Sequence, residues 1–128
     1  MSEYFVKCNI NPEKKSTGDC TVRAIAVALG QSWEKTYTGI CLKGFEMCEM
    51  PSTNRVWGAY LRDKGFTRNA IPADLPEYYS VRDFCADTPR GTFVLACEGH
   101  VVAVIDGKYY DAFDSGDYVP LFYWERRD

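Results

Sequence analysis

The chain predicts an α+β domain. Helical periodicity runs through its first two-thirds, β-type runs fill its last third, and Asp106-Gly107 separates two of those runs as a hairpin turn. Its 128 residues suit one domain with one substantial core, and no repeat, low-complexity tract or linker divides residues 1–128. Apolar residues make up 46% and aromatics 15%, enough for the chain to fold.

The N-terminal dozen residues end at Asn11-Pro12, and the polar run Glu13 to Gly18 that follows reads as a loop. Val22, Ile25, Ala26 and Leu29 then recur at helical spacing, with Asp19 as the expected N-cap and Gly30 as the stop. Cys20 therefore falls in the first turn of this helix. Ser32 caps a second helix that runs to about Phe45. A third spans Ser52 to Lys64 and is closed by Gly65. Arg68 to Tyr79 holds two prolines and reads as irregular. Ser80-Val-Arg-Asp83 has capping-box spacing and starts a short fourth helix ending near Pro89. Strands are expected at Gly91–Cys97, His100–Ile105, Lys108–Phe113 and Tyr118–Trp124, forming an antiparallel sheet.

Net charge is -3 and the basic residues are scattered, which argues against nucleic acid as a partner. No stretch approaches the roughly 20 apolar residues of a membrane span, so no membrane partner is expected. The first fifteen residues lack the apolar core of a signal peptide, and a cytoplasmic location follows as the expectation. The six cysteines then read as reduced thiols, mostly core filler. None forms a CxxC pair. Cys97 and His100 would face opposite ways on a continuous strand, which disfavours a metal site with Cys85. No metal or other cofactor is expected.

Cys20 has a setting that sets it apart from the other thiols. Unpaired N–H groups and the positive end of the helix dipole favour a thiolate there, and the same N–H groups can help hold an oxyanion. Gly18, two residues earlier, permits a tight turn. Position alone leaves a structural cysteine equally open. His100, the single histidine, opens a strand 80 residues later. A two-residue turn at Asp106-Gly107 would pair Ile105 with Lys108, placing His100, Val102, Asp111 and Phe113 on one face. Asp111 is then the diagonal neighbour of His100 and able to orient its ring, while Asp114 faces away. Arg23, one turn after Cys20, reads as a structural ion-pair partner. Trp33, Tyr37, Trp57 and Tyr60 read as core or cleft wall.

The order Cys, His, Asp, with a helical half before the sheet, resembles the papain-like cysteine peptidase superfamily. Gly18-Asp19-Cys20-Thr-Val-Arg-Ala24 is similar to the Asp-Cys-Gly-x-Ala motif of bacteriocin-processing peptidases, with Thr21 in place of glycine. His100-Val-Val-Ala-Val and Tyr110-Asp111-Ala112 resemble their His-x-Val-Val and Asp-Pro segments, with Ala112 in place of proline. Over nearly its full length the chain looks closer to small uncharacterised bacterial and prophage proteins that share a Gly-Asp-Cys-x-x-Arg-Ala start. The resemblance implies a papain-like fold, with the nucleophile helix packed on the sheet. It also implies a thiol peptidase or amidase with Cys20 as nucleophile, His100 as base and Asp111 as orienter. The substrate would be a peptide or protein carbonyl, attacked without a cofactor. The superfamily's oxyanion glutamine falls on Lys14, which has no carboxamide. Asn11 is the nearest amide, and it equally suits a turn before Pro12. The Cys20 backbone N–H is the other oxyanion donor. The rival reading is a non-catalytic phage or bacterial binding or inhibitor protein on the same fold, and a third is a purely structural domain.

Overall fold

The computed structural model describes residues 3–126. In chain order the elements are β1 (Phe5–Lys7), α1 (Cys20–Leu29), α2 (Trp33–Met47), α3 (Asn54–Asp63) and β2 (Phe66–Ala70). Then come α4 (Val81–Asp87), β3 (Thr92–Cys97), β4 (His100–Ile105), β5 (Lys108–Asp111) and β6 (Pro120–Arg126). The class is α+β, with one six-stranded sheet in the order β1-β5-β4-β3-β6-β2. No described helix is long and apolar enough to cross a membrane.

Most local expectations match the structure. Gly30 ends α1 in the left-handed conformation, and Ser80 and Asp83 form a reciprocal capping box on α4. The hairpin turns on Asp106 (φ 49°) and Gly107 (φ 79°), two successive positive φ values that glycine and aspartate tolerate best. Ile105 pairs with Lys108, Val104 with Tyr109 and Ala103 with Tyr110, the register a two-residue turn imposes. Two helix ends differ. α2 continues to Met47 and stops at Cys48, which takes the left-handed cap. α3 starts at Asn54, where the Thr53 side chain accepts from the Val56 N–H, so Ser52 lies outside it.

The sheet is mixed rather than antiparallel. β1 lies parallel to β5, Phe5 opposite Tyr109 and Lys7 opposite Asp111. Three residues carry too little pattern to announce a strand, and their partner lies about a hundred positions away. Phe66–Ala70, expected to be irregular from Arg68 on, forms the antiparallel edge strand β2 against β6. Its mostly exposed, polar side chains reflect that edge position. β5 stops at Asp111, and β6 is shifted two residues along from its expected span. Cys97 and His100 are direct cross-strand partners, so the opposite-face expectation fails. Glu98-Gly99 breaks the strand, and Gly99 turns it with φ 69°.

Helices cover both faces. Ile25, Ile40, Val56, Trp57 and Leu61 from α1–α3 pack on Val94, Ala96, Val101, Ala103 and Trp124. On the other side Val81, Phe84 and Cys85 of α4 meet Phe93, Leu95, Val102, Val104 and Tyr109. Successive residues of β3 and β4 thus enter different cores, which is why both strands are apolar throughout instead of alternating. Each fully buried large side chain stabilises the fold by roughly 1.5–3 kcal/mol.

Candidate active site

α1 crosses the sheet so that its first residue, Cys20, meets the start of β4. Gly18 turns the preceding loop with φ 68°. There the His100 side chain and the Val101 backbone N–H both act on the Cys20 thiol in the sense that favours its thiolate. On the far side of the imidazole, His100 Nε2 lies 2.6 Å from Asp111 Oδ2, with both side chains buried. Asp114 lies elsewhere, accepting from the Tyr109 hydroxyl and pairing with Arg82.

The electrostatics suit an ion pair. Burial opposes charge on Cys20, but the hydrogen bonds from His100 and Val101 and the cations His100 and Arg23 outweigh it, leaving the thiol below its ordinary value. Burial likewise works against the imidazolium, yet the Asp111 and Cys20 interactions raise His100 to about 9. By contrast, burial pushes Cys85 and Cys97 up to about 12. Asp111 additionally raises Cys97.

Several site contacts leave no trace in the sequence. The Ser115 hydroxyl donates to Asp111 Oδ2 at 2.6 Å, and the Ala112 N–H donates to Oδ1 at 2.8 Å. Together they fix the carboxylate that orients the ring. Tyr118, which nothing in the sequence places there, flanks the imidazole at 5.1 Å between centroids, beside an expected neighbour, Phe113, at 5.0 Å. A serine four residues after an aspartate carries no signal of this role.

Asp19 corrects an expectation. It precedes α1 but its side chain makes no cap bond. Its Oδ2 instead accepts from Asn11 Nδ2 and from Trp33 Nε1, each at 2.9 Å, and its Oδ1 lies 3.1 Å from Arg23 Nε. With φ -98° and ψ 24°, the backbone there does not have the extended shape that lets a side chain reach back to the helix. Trp33 stacks on the half-exposed Tyr37 at 4.9 Å, while Trp57 and Tyr60 are core. The Asn11 carboxamide oxygen accepts from the Glu13 and Lys15 N–H groups. Asn11 therefore braces the loop and Asp19.

Arg23 is the ion-pair residue its sequence position suggests, and it is a bridge. Besides Asp19, it places Nη1 3.8 Å from Asp111 Oδ1, linking α1 to the carboxylate beside His100. Its side chain is only 14% exposed, so solvent screens these contacts weakly. Arg23→Gln should raise the pH midpoint of Cys20 alkylation by removing a nearby cation, whereas Arg23→Lys should retain most of the wild-type midpoint. Iodoacetamide labelling across a pH series reads this directly. An unmoved midpoint with a lowered melting temperature would reduce Arg23 to a brace.

No protein-family model, no curated protein and no solved structure matches this chain.

Proposed function

We propose that the chain is a papain-like cysteine hydrolase, a thiol peptidase or amidase working through an acyl-enzyme on Cys20. The observation that carries this reading is the gathering of three groups at one place: His100 Nε2 lies 2.6 Å from Asp111 Oδ2, and the same imidazole acts on the Cys20 thiol to favour its thiolate.

In this mechanism the Cys20 thiolate attacks the substrate carbonyl carbon, and the C=O electron pair moves onto oxygen. The Cys20 backbone N–H, unpaired by the helix, helps hold that oxyanion. Asn11 supplies a second donor only if its carboxamide turns away from Asp19. Collapse of the intermediate breaks the C–N bond, and the His100 imidazolium delivers its proton to the leaving amine. His100, now neutral, takes a proton from water as that water attacks the thioester. The acid departs, the thiolate is regenerated and the imidazolium is restored. Asp111 keeps the ring oriented and offsets its charge throughout. No cofactor takes part.

The test is a panel of peptide, isopeptide and side-chain amide substrates, quenched in acid and read by intact mass. An acyl adduct confined to Cys20, absent from Cys20→Ser, is expected. No adduct or turnover across the panel, with Cys20 still readily alkylated, would favour a non-catalytic binding protein.

A further inference from the structure

Two open cavities have walls that include none of Cys20, His100 and Asp111. One, of about 570 Å³ between α2 and α3, balances Lys35, Lys43 and Lys64 with Glu34, Glu46 and Asp63. The Lys43–Asp63 pair, at 2.7 Å, leaves little of that charge unmet.

The second, about 410 Å³, lies where α3 meets β2 and β6, and it differs in kind. Arg55, Arg62 and Arg68 line it and no carboxylate does. Arg55 is held by Glu49 at 3.5 Å. Among the described residues Arg62 and Arg68 have no carboxylate partner, although the chain carries 18 acidic residues against 15 basic ones. Each is instead stacked on an aromatic ring, Arg62 at 5.2 Å from the Trp124 centroid and Arg68 at 4.1 Å from that of Phe122. Stacking restrains a guanidinium and covers one face while its N–H edge stays free for a carboxylate. Gly58 makes the arrangement possible, since a Cβ there would come within 2.8 Å of the Trp124 ring. Met47, Ala59 and Phe122 supply apolar wall.

We propose that this groove docks an acidic peptide segment of a partner protein, with carboxylates on Arg62 and Arg68 and an apolar side chain against the wall. Charge complementarity selects the occupant. A nucleic acid would require a longer positive strip, and the charged residues lining this groove are only Arg55, Arg62 and Arg68. A short acidic segment needs only what the groove contains.

The probe is a fluorescent peptide alternating glutamate and leucine, followed by anisotropy with the full chain. Binding is expected, weakening several-fold as ionic strength rises from about 0.05 to 0.15 M. The Arg62→Gln/Arg68→Gln pair should weaken it roughly tenfold or more while leaving Cys20 alkylation unchanged. The Arg→Lys pair should fall between, since it keeps charge but loses the planar fork. If the glutamine pair fails to fold, a lysine-for-glutamate peptide on the wild-type chain serves instead, and equal binding of that peptide would overturn the proposal. So would no binding of the acidic peptide, or tighter binding of a single-stranded oligonucleotide that competes at the same arginines.

Discussion

Iodoacetamide at neutral pH is expected to modify Cys20 at least about 100-fold faster than Cys85 or Cys97, because the thiolate is the nucleophile. Cys85 and Cys97 are buried and held at about 12, so almost none of either is ionised at pH 7. Cys20 is partly accessible and held low by the neighbouring His100 imidazole. Exposed Cys48 is the control for simple accessibility. Peptide mapping after limited labelling reads the order, and Cys48 ahead of Cys20 would contradict an activated nucleophile. The pH course has a defined sign. The ion pair exists above the Cys20 midpoint and below about 9, where His100 loses its proton. Labelling should rise at lower pH than for an ordinary thiol near 8.5. His100→Ala removes the imidazole and its positive charge but leaves the thiol as buried as before, so that rise should move to higher pH. In any hydrolysis assay Cys20→Ser should cost about a thousandfold or more.

Asp111→Asn should be nearly as damaging, lowering kcat/KM by roughly 100- to 10,000-fold in hydrolysis. The substitution preserves shape but removes the carboxylate that holds His100 at about 9. Burial then works against the imidazolium unopposed on that side, and the ring tends to neutral at physiological pH. It also leaves the Ser115 hydroxyl and Arg23 facing an amide instead of a charge. The alkaline limb of the pH–rate profile should therefore move to lower pH. Asp114→Asn is the control, since that carboxylate serves Tyr109 and Arg82 and should leave the limb in place. A profile unchanged in Asp111→Asn would remove Asp111 from the catalytic group.

The extent of this site that was legible without coordinates follows from the range of each interaction. Cys20 at a helix start depends on residues 18–30, and periodicity plus a glycine stop suffices to place it. The His100–Asp111 pairing is also local in effect: a two-residue turn dictates a hairpin register, and register dictates which side chains meet. What joins Cys20 to His100 is different, because their separation of 80 residues is closed only by α1 packing across β4.

The helix and hairpin pieces follow from periodicities and turn chemistry that act within about a dozen residues. Long-range packing set the parallel β1–β5 pairing, the edge strand β2 and α4's place on the face opposite α1–α3. It also decided the recruitment of Ser115, Asn11 and Trp33 around the two buried aspartates. None of these has a local free-energy minimum of its own. A three-residue strand, a half-polar edge or a serine hydroxyl gains its partner only after the two cores bring distant segments together. Asp19 shows that precedence most plainly: as a local cap it would bond its own helix, yet Asn11, Trp33 and Arg23 draw its carboxylate into the site.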